Sequence, residues 1–106
     1  MINNKILGLL GLCTRAGKLV FGTDACTDVI KKRNVKLVMV AEDAADRTKR
    51  NFEFLCRKNE IPICFFGTME EISKAIGNRN KVVVAVKDPN FANEMKKIIN
   101  GGEIIG

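Results

Sequence analysis

Two stretches of this chain, "LVMVA" (37–41) and "KVVVAV" (81–86), are apolar at nearly every position instead of at every second one. A strand that alternates can leave one face in water, but a continuous apolar strand has to be covered on both faces. The sheet that holds these two runs therefore needs helices on either side. The segments between supply them. Apolar residues recur at helical spacing in residues 4–16, through Ile6, Leu9, Leu10 and Cys13. Gly17 stands where a left-handed residue ends such a helix.

The remaining signals alternate in the same way. "KLVF" (18–21) reads as a short strand, and Gly22 and Thr23 open a second helix whose stripe is Cys26, Val29 and Ile30, closed by the cations of "KKRN" at its negative end. A third helix over 45–58 buries Phe52, Leu55 and Cys56 and leaves Arg47, Lys49, Arg50 and Arg57 in water. "IPICFF" (61–66) is a strand whose Pro62 fits only near its start or on an edge. "TMEE" spells a capping box between Thr68 and Glu71, and Gly77 ends the fourth helix. Asp88 caps a fifth helix with Pro89 in its first position, which buries Phe91, Met95 and Ile98, and the closing "NGGEIIG" should fray. One helix followed by four strand–helix units predicts an α/β fold, a three-layer α/β/α sandwich around a four-stranded mixed sheet, with residues 1–106 as a single domain. Ligands of such sheets bind beyond the strand ends, at loops leading into helices.

The residues present exclude some chemistries and disfavour others. "GLCTRAGKL" (11–19) resembles a phosphate-binding loop, but five residues instead of four separate Gly11 from Gly17, and Leu19 follows Lys18 where Ser or Thr would hold magnesium. With no histidine in the chain, Cys-His and Ser-His catalysis are absent. Cys13, Cys26, Cys56 and Cys64 have no C-x-x-C spacing and read as buried thiols, so no metal site and no cofactor are expected. Glu42 and Asp43 could suggest magnesium or acid–base work, yet complementing a helix dipole explains them more simply. No apolar stretch approaches the ~20 residues of a membrane span, and the first residues lack a basic leader and a cleavage site. The expected compartment is the cytoplasm.

Eighteen Lys and Arg against twelve Asp and Glu leave a net charge of +6, which points to a polyanion as partner. Two loops carry suitable chemistry: "FGTDACTD" (21–28), entering the second helix, and "GNRNK" (77–81), before the last strand. Gly22 allows close approach of a nucleic acid to free N–H groups and the helix dipole, whereas the purely structural account has Thr23 capping the helix. Arg79 can stack on a base and bridge phosphate oxygens, and Asn78 and Asn80 can bond base edges. Lys18 precedes the Gly22 turn and could reach the same groove. Arg15, Lys31 and Lys32 would extend the basic surface, although a charge run at a helix end is usually a solvated face.

"LLGLCTRAGKLVFGTDACTDVIKKRNVKLVMVAEDA" followed by "FLCRKNEIPICFFGTMEEISKAIGNRNKVVVAVKD" resembles the ribosomal protein L7Ae family of kink-turn RNA-binding proteins, and within it the bacterial YlxQ-like branch. The likeness runs over residues 6–99. It implies a small α/β/α sandwich that binds structured RNA in ribosomal or other ribonucleoprotein settings, without catalysis. The family's G-x-N-E-x-T-K motif falls on residues 22–28, where Gly22 and Thr27 match. Asp24, Ala25 and Asp28 depart from it: Asp24 keeps an acceptor, Ala25 has none, and Asp28 replaces a lysine that would neutralise a phosphate. The resemblance places an exposed residue of the loop at 77–81 over a flipped-out nucleotide. The expected RNA-binding set is Lys18, Gly22, Thr23, Asp24, Thr27, Asn78, Arg79 and Lys81. The expected partner is structured RNA, with ribosomal RNA as one candidate, bound by a monomer with no small-molecule substrate and no membrane contact. The departures from the motif keep a protein-binding adaptor on the same fold open as the alternative, and the near-miss at 11–19 a nucleotide-using enzyme.

Overall fold

The computed structural model describes residues 2–99 and 104–105. Its elements follow in the order α1 (Ile2–Arg15), β1 (Leu19–Phe21), α2 (Thr23–Lys31), β2 (Leu37–Val40), α3 (Asp46–Lys58), β3 (Ile63–Phe65), α4 (Met69–Ala75), β4 (Val83–Val86), α5 (Pro89–Ile98) and β5 (Ile104–Ile105). The sheet has the order β1-β4-β2-β3-β5 and is mixed: β2 and β3 are parallel, and every other pair is antiparallel. The four strands expected from the sequence are all present. The two-residue β5 adds a fifth beside β3, so residues 104–105 of the expected fraying tail are paired, while 100–103 and 106 lie outside the described residues.

Both continuous apolar strands are covered at every position. All of Leu37, Val38, Met39 and Val40 and all of Val83, Val84, Ala85 and Val86 are buried, because β2 and β4 occupy the middle of the sheet. β1 lies on an edge and is only half-buried. On one side α1 packs against α4 and α5; on the other α2 packs against α3. Pro62 sits just before β3, where its missing N–H is not needed and its carbonyl accepts from Val38 N at 2.9 Å. The helix stops also follow the sequence, with Gly17 at φ 70° and Gly77 at φ 70°.

All four cysteines are buried and unpaired with one another. Burial pushes the thiol of Cys13 up to about 11, and those of Cys26, Cys56 and Cys64 up to about 12, because a thiolate would lose its hydration there. They fill the core as small apolar side chains. Cys26 also directs its Sγ at the carbonyls of Val20 (3.6 Å) and Val83 (3.7 Å), tying α2 to β1 and β4.

Strand direction divides the molecule into two poles. β1, β2 and β3 run one way and β4 the other, so the ends of β1, β2 and β3 and the start of β4 share a pole. The starts of α2, α3 and α4 and the loop at 77–82 meet there, around Gly22. The far pole gathers the ends of α1, α2 and α3 and the junction of β4 with α5.

Candidate nucleic-acid interface

Gly22 holds φ 94° and ψ 154°, a conformation in which a side chain at Cα collides with the backbone, so only glycine adopts it without strain. Its N–H donates to Val83 O at 3.0 Å, and its carbonyl accepts from Cys26 N at 3.0 Å. Both of its peptide groups are thus fixed to β4 and to α2. Among the described residues a Cβ there would meet only Lys81 Nζ, at 3.9 Å.

No side chain caps α2. The capping role open to Thr23 is not taken: Thr23 lies inside the first turn, and its carbonyl accepts from Thr27 Oγ1 at 2.7 Å. The contrast with α4 and α5 is direct. Thr68 Oγ1 accepts from Glu71 N (3.1 Å) while Glu71 Oε1 accepts from Thr68 N (3.0 Å), and Asp88 accepts from Phe91 N (3.0 Å). Those two helix starts are closed by their own side chains, whereas α2 presents its first N–H groups beside exposed Thr23, Asp24 and Ala25.

The loop at 77–81 is fastened from below. Buried Ser73 of α4 accepts from Lys81 N (2.8 Å) and donates to Lys81 O (3.2 Å), and its carbonyl accepts from Asn78 N (2.8 Å). Asn78 Oδ1 in turn accepts from Arg79 N (2.9 Å), and Asn80 holds φ 55°. Both ends of the loop are fixed and exposed Arg79 stands at its tip. Lys81 reaches back over the Phe21 ring, with its ammonium 5.8 Å from the centroid. Gly22, Phe21 and Lys81 therefore form one surface, joined on one flank by Thr23, Asp24 and Thr27. The same three line a groove of about 270 Å³ between α2 and α3, with Thr48, Asn51, Phe52 and Leu55.

Lys18 is not part of this surface. Three residues of extended chain lie between it and Gly22, a span of roughly 13 Å, and its carbonyl accepts from Lys87 N at the far pole (2.9 Å). Asp28 sits in the last turn of α2 and pairs with Lys32 at 3.1 Å. Asp43 does complement a helix, but not the one that follows it: its Oδ1 accepts from Met69 N, at the start of α4 (2.8 Å). Lys49 of α3 donates to Glu42 O (2.7 Å), fastening the loop after β2. Sequence reasoning missed Ser73; its one visible signal was a small polar residue within the apolar stripe of a helix.

The charge is distributed against the sequence-based expectation of a cationic docking end. Residues 22–26, 41–49 and 67–81, around the Gly22 pole, hold six carboxylates (Asp24, Glu42, Asp43, Asp46, Glu70, Glu71) and five cations (Arg47, Lys49, Lys74, Arg79, Lys81). Residues 12–18, 28–36, 55–62 and 87–92, around the far pole, hold nine Lys and Arg against three carboxylates, Asp28, Glu60 and Asp88.

Residues 4–96 match the Ribosomal protein L7Ae/L30e/S12e/Gadd45 family. The RNA-binding protein YlxQ of Bacillus subtilis (strain 168) is 34% identical over 92 residues, covering 87% of this chain and 92% of that protein. A Bacillus halodurans C protein described as of unknown function has a structure that superposes with a TM-score of 0.86 at 32% identity, over 91% of this chain and 97% of its own. The Giardia lamblia 15.5kD RNA binding protein superposes with a TM-score of 0.78 at 16% identity, over 94% of this chain and 86% of its own, a likeness of fold. On these matches and the sandwich that carries them, the chain belongs to the ribosomal protein L7Ae/L30e/S12e/Gadd45 family.

Proposed function

We propose that this protein is a non-catalytic RNA-binding protein, acting in the cytoplasm as a monomer, that docks its Gly22 pole on a structured, kink-turn-like or looped RNA within a ribosomal or other ribonucleoprotein particle. The observation that carries the reading is the open start of α2, where a glycine-only turn leaves backbone N–H groups uncapped beside Lys81 and the Arg79 loop. Backbone donors and the helix dipole would hold phosphate oxygens or base edges there, and Arg79 would cover an unstacked base. The YlxQ relative is named for RNA binding, and its similarity spans nearly the whole chain. Selectivity would differ from that of a G-x-N-E-x-T-K protein, since Ala25 has no side-chain bond to offer and Asp28 is occupied by Lys32.

Converting Arg79 and Lys81 to Glu is expected to weaken binding of a structured RNA at least tenfold, about 1.4 kcal/mol, with the melting temperature little changed. Unchanged affinity at fixed salt would remove the loop from the site. The six carboxylates of this pole favour a second reading, a protein-binding adaptor on the same fold. Ionic strength separates the two: phosphate contacts weaken steeply as salt rises, and an apolar protein interface barely responds.

A further inference from the structure

The far pole holds an arrangement that neither helix termini nor the Gly22 site explains. In the registers Leu19↔Val86 and Leu37↔Val86, Lys18 and Lys36 each stand one residue before the strand partner of Val86, and Lys87 one residue after Val86 itself. The backbone stays bonded at this level, with Lys87 N donating to Lys18 O (2.9 Å) and Lys36 N to Val86 O (2.8 Å). Three lysines therefore stand side by side across three adjacent strands, at a spacing of about 4.8 Å per strand. All three are exposed, and among the described residues no carboxylate forms an ion pair with any of them. Like charges at facing positions of a sheet cost stability. Lys31, Lys32, Arg57 and Lys58 complement the negative ends of α2 and α3, but a strand end offers no comparable dipole. The neighbouring Asp88 is committed to Phe91 N (3.0 Å). Beside the row, a shallow groove of about 410 Å³ adds Arg33 and Lys96, with Glu60 on its wall.

We propose that the Lys18–Lys87–Lys36 row is a second phosphate-binding surface, gripping another RNA segment while the Gly22 pole holds the first. This inference rests on the RNA-binding reading above. RNA fits the row better than a protein partner does. A stable protein interface needs apolar anchors at its centre, and among the described residues the large apolar side chains that are exposed, Leu12 and Phe54, lie on helices α1 and α3 and not in the row. Phosphates need only cations, and three flexible four-carbon stems in line can follow a backbone without reading its sequence. The protein then joins two RNA segments across the length of its sheet.

The test uses the full chain, one RNA hairpin fixed to a surface, and a second fluorescent hairpin duplex offered in solution at low salt. The wild-type protein is expected to bind the fixed hairpin and capture the second. K18Q/K36Q/K87Q is expected to cut capture at least tenfold while leaving affinity for the fixed hairpin within about twofold, with a melting temperature equal or higher. Undiminished capture by the triple variant overturns the row, as does a wild-type protein that holds the first hairpin and never captures the second. Poly-glutamate taken up in place of the duplex assigns the row to an acidic polypeptide and overturns the proposal equally. If the wild-type protein holds no hairpin at all, the RNA-binding reading falls and this inference with it. If instead the triple variant loses the fixed hairpin while R79E/K81E keeps it, the row is the first RNA site, and both the docking pole assigned above and the two-segment proposal fall.

Discussion

At the Gly22 pole the groups available to an anion are peptide N–H groups, held by a glycine that no other residue can replace without strain, with Arg79 and Lys81 beside them. At the far pole they are lysine side chains on strand ends, exposed and without carboxylate partners among the described residues. The first surface is fixed in shape and close to neutral in charge; the second is loose in shape and strongly positive. A rigid backbone cradle discriminates by geometry, because only a ligand that matches its fixed donors is bound well. A row of long cations attracts any polyanion and leaves selection to something else. The net charge of +6 therefore says little about where recognition occurs.

The largest effect that would test this contrast removes both poles at once, through the core that joins them. The four thiols have folded pKa values raised from 9.0 to about 11 or 12, and a thiol is neutral while it holds its proton. Below about pH 9 folded and unfolded states are both protonated and the full stability is present. As pH rises from there towards the folded values, only the unfolded chain loses thiol protons, so stability falls. Circular dichroism with thiolate absorbance should show a cooperative alkaline unfolding in which all four thiols appear together. Thiolates appearing while the helical signal persists would show that the thiols are not the sealed core described above.

Gly22→Val breaks one pole alone. A β-branched side chain in that conformation should cost about 1–3 kcal/mol, read by urea unfolding. RNA affinity should fall more than tenfold, because the new side chain also covers the approach to the α2 N–H groups. Ser73→Ala is a smaller insult to the same pole. It leaves both peptide groups of Lys81 without their side-chain partner, a loss of about 1–2 kcal/mol, with the loop at 77–81 loosened and Arg79 less well placed. Hydrogen exchange at Lys81 would register it. An affinity equal to wild type would mean that the loop needs no fixing.

The smallest expected effect has the opposite sign. Lys87→Glu places a carboxylate between Lys18 and Lys36, replacing two repulsions with two attractions, each worth about 0.2–1 kcal/mol. The melting temperature should rise by a few degrees while binding at the Gly22 pole is unchanged. A lower melting temperature would show that the three lysines do not crowd one another.

Much of this protein is written locally. The capping box at Thr68 and Glu71, the Asp88–Pro89 start of α5 and the stops at Gly17 and Gly77 are decided within four or five residues by backbone donors that must be met or by a φ that glycine tolerates. The continuous apolar runs likewise announced that β2 and β4 would be covered on both faces, because side chains at every position had to leave water. Gly22 was legible as a turn, but its open helix start only as one of two readings. Thr23 was as good a candidate cap by composition, and only the path of the chain puts its carbonyl, not its hydroxyl, to use.

What the sequence settled on its own was the succession of helices and strands and the faces they bury, since those follow from interactions between near neighbours. The tertiary structure alone decided which ends meet. It set Lys18 beside Lys87 and away from Gly22, Ser73 beneath Lys81, and Asp43 at the start of α4. Each of these depends on strand order and register, and register is fixed by burial summed over the whole sheet, which no single segment contains.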